Sequence, residues 1–248
     1  MKLMHILVAS AAILASSACN AEKGGNSAAA SAGPIKPIAP PKGGDWTTMV
    51  NTTPEGGFVM GNPNAPVKLI EYGSLTCPHC AEFDEKGGKP LIDNYVKTGQ
   101  VSWEFRNFVR DPYDIAASLI ARCGGTTSFF GLTRGLYAEQ KDWIAKVQAA
   151  SPEQQQALMG LPPQKQFGAI AQLAGFPQWA AMRGVPTAKG ATCLADEGAV
   201  TKLVQMQSDA ISQFDIPGTP AFIINGSLVK DAATWELLEP KLRAAIGS

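Results

Sequence analysis

The sequence predicts an α/β fold that carries a helical insertion subdomain. Strand-like runs at 67–72 and 101–109 flank a helical segment and form a β-α-β unit with it. Strand signals then disappear from 111 to 215, where apolar residues recur at helical spacing, and they return at 220–224. The stretch 45–248, about 200 residues, is long enough for one well-buried domain that includes such an insertion.

The β-α-β unit should have parallel strands, because its crossover connection is expected to be right-handed. In its second strand Val101, Trp103 and Phe105 alternate with polar residues. Its helix is predicted to begin at Cys77, and an interruption is expected at the glycine pair 87–88.

Glycine and proline residues, single or in pairs, divide the 111–215 insertion into about six predicted helices. After it, the pair Asn225-Gly226 predicts a type I′ hairpin turn, because these residues tolerate positive φ angles. A final helix is predicted over 232–246, and Pro240 within it should kink or restart it.

The run Cys77-Pro78-His79-Cys80 is the most informative motif, because two such cysteines can close into a small disulfide that opens easily. A zinc site needs four ligands, but His79 is the only histidine outside the N-terminal apolar segment, and Cys123 and Cys193 stand alone. A purely structural disulfide would gain little from so short a loop. The motif therefore indicates redox chemistry, and we expect neither a metal ion nor another cofactor.

Cys77 is predicted to lie at the N-terminus of a helix. The free N–H groups and the helix dipole there stabilise a thiolate, which is the reactive form of cysteine. His79, in the same turn, is expected to add a positive charge or a hydrogen bond to that thiolate. The alternative is that His79 is an exposed residue without consequence.

The N-terminus has the layout of a secretory signal peptide, predicted over 1–18. A lysine precedes the apolar stretch 6–15, which is too short for a comfortable membrane span, and small residues follow. The next segment, 19–44, is rich in Ala, Gly, Ser and Pro and is predicted to be a disordered linker or lipid tether. The chain is therefore expected to be exported.

Cys19 stands where a bacterial lipoprotein carries its lipid-modified cysteine, although Ser16 replaces the leucine that is usual three residues earlier. The alternative is ordinary cleavage without lipidation. If Cys19 is acylated and the two motif cysteines pair, Cys123 and Cys193 remain as a second disulfide pair. The formal net charge is zero and there is no basic block, so nucleic acid is not an expected partner.

The motif Cys77-Pro78-His79-Cys80, the β-α-β unit around it, the long insertion and the run from Gly218 to Gly226 together resemble the DsbA-like thiol:disulfide oxidoreductases of the thioredoxin superfamily. The resemblance spans 45–248 and implies a thioredoxin-like fold. It implies that Thr219-Pro220 is a cis-proline loop opposite the cysteines, where a substrate peptide adds as a strand. The alternative is that Pro220 begins an edge strand.

The resemblance also implies two acidic site residues. Glu71 matches a buried acid that can accept a proton from Cys80, although a solvated glutamate at the end of a strand would look the same. Asp84, one helical turn past Cys80, resembles a second family acid.

The resemblance implies an enzyme that introduces disulfides into secreted proteins. Its substrates would be reduced secreted proteins, and a membrane quinone-linked thiol oxidase would reoxidise it. We expect a monomer in the periplasm of a Gram-negative bacterium, with membrane contact only through a lipid anchor at Cys19.

One alternative is a disulfide isomerase or reductase of the same superfamily, and the threonine before the proline, Thr219, favours it. The other alternative is a non-catalytic binding lipoprotein.

Overall fold

The computed structural model describes residues 34–247, without the side chain of Pro163. The predicted signal peptide 1–18, the candidate lipidation site Cys19 and the first part of the predicted linker lie outside the described residues. No helix within 34–247 is both long enough and apolar enough to cross a membrane.

A six-stranded mixed sheet forms the centre of the domain, in the order β1-β2-β4-β3-β5-β6. The strands are β1 (Val50–Thr52), β2 (Phe58–Met60), β3 (Val67–Gly73), β4 (Val101–Asn107), β5 (Ala221–Ile224) and β6 (Ser227–Leu228). β3 and β4 are parallel, as the β-α-β pattern predicted, and the other neighbouring pairs are antiparallel. β1 and β2 were not predicted, because three residues show too little alternation to reveal a strand.

The helix after β3 is continuous, whereas the sequence predicted an interruption at residues 87–88. α1 (Pro78–Phe83) passes into a π-helical segment (Asp84–Gly88), then into α2 (Lys89–Leu91) and a second π-helical segment (Ile92–Val96). A Cβ atom at Gly87 would lie 2.8 Å from the Trp235 ring. Glycine therefore serves close packing here and does not end the helix.

The insertion between β4 and β5 contains eight helices instead of about six. They are α3 (Pro112–Cys123), α4 (Gly125–Ala138), α5 (Gln140–Gln148), α6 (Pro152–Met159), α7 (Pro163–Ala174), α8 (Phe176–Ala181), α9 (Thr187–Leu194) and α10 (Glu197–Phe214). A disulfide between Cys123 and Cys193 joins α3 to α9, with an S–S distance of 2.07 Å.

The C-terminal elements follow the predicted order. Asn225 and Gly226 both have positive φ angles, 48° and 83°, as a type I′ turn requires. α11 (Trp235–Ile246) runs through Pro240 without the predicted restart. Its core-facing side chains Trp235, Leu238, Leu242 and Ile246 lie on both sides of the proline, and their burial outweighs the lost backbone hydrogen bond.

Residues 34–44 differ from the predicted disordered linker, because this segment is bonded to the domain. The Ile35 N–H donates to the Ile246 carbonyl and the Ile38 N–H to the Thr98 carbonyl, both at 2.8 Å. The Trp46 indole N–H donates to the Ile38 carbonyl at 2.8 Å. The domain therefore includes residues before Asp45, where the sequence placed its start.

Candidate active site

The loop that leaves β3 presents Cys77 as the N-cap of α1. Cys77 has an extended backbone, with φ −85° and ψ 119°, and Pro78 is the first helical residue. Proline suits this position because its missing N–H would have had no partner there. The backbone N–H groups of His79 and Cys80 are directed at the Cys77 sulfur and favour its thiolate.

Both cysteines are free thiols, and both are buried. Cys77 exposes 2 % of its surface, and Cys80 exposes none. The reason is the Thr219 carbonyl, which accepts a hydrogen bond from the Cys77 thiol at 3.2 Å and covers it. Cys80 lies deeper, and its Sγ accepts from the Ser74 N–H at 3.5 Å.

The surroundings separate the acidities of the two thiols. A hydrogen bond from Cys80, the Thr219 side chain and the two helix N–H groups together lower the pKa of Cys77 to about 5, against the opposing effect of burial. Burial raises the pKa of Cys80 well above its usual value, and the neighbouring charges of Cys77 and Glu71 add to this. The geometry therefore favours a stable thiolate at Cys77 and a protonated thiol at Cys80.

Glu71 is buried next to Cys80, on the same face of β3 as Val67 and Leu69. Its Oε2 accepts a hydrogen bond from the Trp103 indole N–H at 3.0 Å. Burial and the nearby Asp84 carboxylate raise the pKa of Glu71 to about 8, so Glu71 holds a proton at neutral pH. Glu71 is therefore buried, and it is not the solvated glutamate at the end of a strand that was the alternative.

Asp84 lies in the π-helical segment after α1. Its Oδ1 accepts from the Arg134 Nε at 3.1 Å, and its side chain is 12 % exposed. Burial raises the pKa of Asp84 although Arg134 opposes the shift. Sequence analysis did not identify Arg134, which is one of several polar residues in an insertion helix.

The His79 side chain lies away from the sulfur in this structure. It is 73 % exposed, and its Nδ1 lies 3.8 Å from Glu82 Oε2. The contribution of His79 to the Cys77 thiolate comes from its backbone N–H. Within the described part of the chain, His, Cys, Asp and Glu residues form no group of three or more that could hold a metal ion.

The peptide bond between Thr219 and Pro220 is cis, and this loop lies against Cys77. The Thr219 hydroxyl is buried and has no hydrogen-bond partner among the described residues while Cys77 is a thiol. It lowers the pKa of Cys77 because it can donate to the thiolate.

Two residues of the insertion hold the active-site loop, and sequence analysis missed both. Asp114 accepts hydrogen bonds from the Ser74 hydroxyl at 2.5 Å and from the Leu75 N–H at 2.9 Å. The Gln140 side-chain amide donates to the carbonyls of Leu75, at 2.7 Å, and Cys77, at 3.0 Å. In the sequence Asp114 looks like an ordinary acid in a first helical turn, and nothing distinguishes Gln140 from its neighbours.

The family model described as Thioredoxin matches residues 53–244 of the chain. A solved protein-disulfide isomerase from Novosphingobium aromaticivorans is 33% identical, with a TM-score of 0.73, and the match covers 77% of this chain and 97% of that one. The Thiol:disulfide interchange protein DsbA of Bordetella parapertussis is 28% identical over 178 residues, which cover 68% of this chain and 71% of the relative. The chain belongs to the DsbA-like thiol:disulfide oxidoreductases of the thioredoxin superfamily.

Other relatives of this DsbA-like chain are longer. A putative protein-disulfide oxidoreductase of Rickettsia bellii is 27% identical over 173 residues, which are 69% of this chain and 58% of the relative. The chain thus spans little more than half the length of that curated relative. The DsbA-like site itself, with its cysteine pair, buried acid and cis-proline loop, lies within the residues that the family model matches.

Proposed function

We propose that the chain is an exported enzyme that introduces disulfide bonds into secreted proteins through a Cys77–Cys80 disulfide. The observation that carries the proposal is the low pKa of Cys77, about 5, next to a Cys80 thiol whose pKa is raised. A stable Cys77 thiolate favours the reduced enzyme, so the oxidised enzyme is a strong oxidant.

The reaction has two exchange steps. A substrate thiolate attacks the Cys77 sulfur of the oxidised enzyme, which breaks the Cys77–Cys80 bond and leaves the electron pair on Cys80. A second substrate thiolate then attacks the substrate sulfur of the mixed disulfide, and Cys77 leaves as its stable thiolate. The substrate loses two electrons, which the enzyme holds as a dithiol.

Substrate must displace the contact that now covers Cys77. The Thr219 carbonyl lies 3.2 Å from the sulfur, and an extended substrate segment would pair with the backbone of this loop. Roles for Cys77, Cys80, Glu71, His79, Thr219 and Pro220 in this chemistry are part of the proposal.

The remaining parts of the proposal concern location and partners. A signal peptide over 1–18 would export the chain to the periplasm of a Gram-negative bacterium, and lipidation of Cys19 would attach it to a membrane. The chain would act as a monomer on reduced secreted proteins. A membrane quinone-linked thiol oxidase would regenerate the disulfide.

The test is the redox equilibrium of the Cys77–Cys80 pair against glutathione. We expect a reduction potential above about −150 mV, close to that of strong dithiol oxidants. A value near or below about −180 mV, where isomerases and reductases lie, would contradict the oxidase direction.

One observation favours a second candidate, a disulfide isomerase. The Novosphingobium structure, which is 33% identical to this chain, is named a protein-disulfide isomerase. Recovery of activity from a scrambled substrate without added oxidant would support isomerisation, whereas activity on a reduced substrate alone would support oxidation.

A further inference from the structure

The buried Cys80 sulfur receives a backbone hydrogen bond from the loop that precedes α1. The Ser74 nitrogen lies 3.5 Å from the Cys80 sulfur, and its N–H donates to that sulfur. Burial raises the pKa of Cys80 well above its usual value, and the Ser74 N–H acts against this rise. The Ser74 N–H is therefore a donor that favours negative charge on Cys80.

Ser74 itself is held by an acidic residue of the helical insertion, Asp114. The Ser74 hydroxyl donates to Asp114 Oδ2 at 2.5 Å, and Ser74 exposes none of its surface. The N–H of the next residue, Leu75, donates to Asp114 Oδ1 at 2.9 Å. One carboxylate thus binds the side chain of Ser74 and the peptide group that follows it, so it helps to fix where the Ser74 N–H points.

Asp114 is in turn fixed by the first turn of α3. Its own N–H donates to the N-cap residue Asp111 at 2.8 Å, and the Arg110 N–H donates to Asp114 Oδ2 at 3.1 Å. Burial raises the pKa of Asp114 to about 7, although the Ser74 hydroxyl and the two N–H groups of the loop act against the shift. Three donors on two oxygens match a carboxylate, which is the form present at pH 8.

Disulfide exchange puts charge on the sulfur that the Ser74 N–H faces. When the Cys77–Cys80 bond breaks, Cys80 leaves with the electron pair, and when Cys80 resolves a mixed disulfide it attacks as a thiolate. A donor that is already in place stabilises such charge in the transition state without reorganisation, and it is worth most in a buried site. Both steps should therefore depend on the placement of Ser74.

We propose that Asp114 is a positioning residue for disulfide exchange, because it holds the Ser74 N–H against the Cys80 sulfur as the thiolate forms. The incoming thiolate bonds to the Cys77 sulfur, the Cys77–Cys80 bond breaks, and its electron pair goes to Cys80. The Ser74 N–H donates to that sulfur and keeps its proton. The inference rests on exchange at Cys77–Cys80, as in the proposed function, and holds for either direction of catalysis.

The test is the rate at which dithiothreitol reduces the oxidised full-length chain at pH 8, in wild type and Asp114→Asn. The single amide oxygen of asparagine can replace only one of the two carboxylate oxygens, so either the Leu75 N–H or the donors at Oδ2 lose their acceptor. We expect reduction to be about tenfold slower in Asp114→Asn, as for the loss of one hydrogen bond to a charged group.

A second measurement separates positioning from a general loosening of the loop. Alkylation of Cys77 by iodoacetamide in the reduced protein uses the Cys77 thiolate and puts no charge on Cys80. Its rate should therefore be the same in Asp114→Asn and wild type. The reduction potential should also stay unchanged, because Cys80 carries no charge in either the disulfide or the dithiol at equilibrium.

Two serine variants form a matched pair, because Ser74 and Ser118 are both fully buried. Ser74→Ala removes the hydroxyl that Asp114 binds and should slow reduction by about threefold. Adding Asp114→Asn to it should slow reduction by less than the product of the two single effects, because both act on one contact. Ser118→Ala should keep the wild-type rate, since the Ser118 hydroxyl accepts from the Asn107 amide at 3.1 Å, away from the loop.

A folded Asp114→Asn that is reduced at the wild-type rate would overturn the inference. Equal slowing of reduction and of alkylation would also overturn it, because a loosened loop affects both reactions. If Asp114→Asn does not fold, Ser74→Ala decides in its place, and a wild-type reduction rate in that variant would refute the role of Asp114. A wild-type disulfide that does not exchange with dithiothreitol would overturn the proposed function instead.

Discussion

Cys77 and Cys80 are three positions apart, yet their surroundings drive their pKa values in opposite directions. Cys77 receives donors from the helix N-terminus and from Cys80 itself, so its pKa falls to about 5. Cys80 is enclosed beside the Glu71 carboxyl group, so its pKa rises. The difference gives the two sulfurs separate tasks, one that substrate reaches and one that resolves the mixed disulfide.

Because only Cys77 reacts with substrate, the two cysteine variants should differ in whether they accumulate a mixed disulfide with substrate. Cys80→Ser should accumulate mixed disulfides through Cys77, because no resolving thiol remains to release the substrate. Cys77→Ser should accumulate none, because Cys80 is fully buried and its thiol is protonated. Non-reducing gels of both variants with a disulfide-containing substrate, whose disulfide the Cys77 thiolate attacks, measure this, and equal trapping would contradict the assignment.

The buried Glu71 should make the free energy of unfolding depend on pH. The pKa of Glu71 is about 8 in the folded protein and 4.5 as an ordinary glutamate, so the folded state holds a proton that the unfolded chain releases. Stability from this group is complete below pH 4.5 and is lost as pH rises toward 8. Glu71→Gln should therefore gain stability relative to wild type, by about 1.4 kcal/mol for each pH unit in this window.

Urea unfolding of the reduced protein at several pH values measures that gain. Glu82→Gln is the matched control, because Glu82 is exposed on the same helical region and should show no such rise. A constant difference between Glu71→Gln and wild type from pH 5 to 8 would mean that Glu71 is ionised in the folded protein.

At the scale of elements, the insertion fixes the active-site loop from two helices. Asp114, at the start of α3, accepts hydrogen bonds from the hydroxyl and N–H donors of the loop. Gln140, at the start of α5, donates hydrogen bonds to two carbonyl groups of the loop. The Cys77 carbonyl also accepts from the Ala81 N–H inside α1. The insertion therefore helps to position the N–H groups of the first turn of α1 relative to the Cys77 sulfur.

Gln140→Leu tests this contact between elements. The change leaves two buried carbonyls without their side-chain donor, which should cost about 1–3 kcal/mol of stability. The N-terminus of α1 should loosen, so the Cys77 pKa should rise in a thiolate absorbance titration. Gln178→Leu, at an exposed position in α8, should change neither quantity. A wild-type Cys77 pKa in folded Gln140→Leu would show that the loop holds its own geometry.

The elements that the sequence predicted are formed by interactions between residues close together in the chain. The elements that it missed depend on contacts between residues far apart in the chain. β3, β4 and the type I′ turn follow from local alternation and from Asn225-Gly226, so they could be predicted. The continuous helix past Gly87 could not, because its cause is contact with Trp235, almost 150 residues away in sequence. Gln140 was missed for the same reason, since only the folded chain brings its side chain to the Cys77 carbonyl.

Over the whole molecule, the disulfide between Cys123 and Cys193 closes a loop with a sequence separation of 70. It joins the first and a late helix of the insertion, so it restricts the unfolded chain over most of that subdomain. The chain-entropy model gives about 4 kcal/mol for a loop of this length.

Replacing both cysteines by alanine should lower the free energy of unfolding by about 2–4 kcal/mol. The redox potential of the Cys77–Cys80 pair should stay unchanged, because Asp114 and Gln140 still hold the active-site loop. Denaturant unfolding without reductant and a glutathione equilibrium measure the two quantities. Recovery of both wild-type cysteines as alkylatable thiols in the purified protein would contradict the pairing.

The segment 34–44 has a mechanical consequence. It is bonded next to Thr98, just before β4 begins, whereas Cys77 follows the end of β3. Because β3 and β4 are parallel over seven residues, the two places lie at opposite ends of these neighbouring strands, about 20 Å apart. A pulling force on the N-terminal chain would load α11 and the turn at Thr98 first. The cysteine pair would keep its geometry while the protein is held under tension.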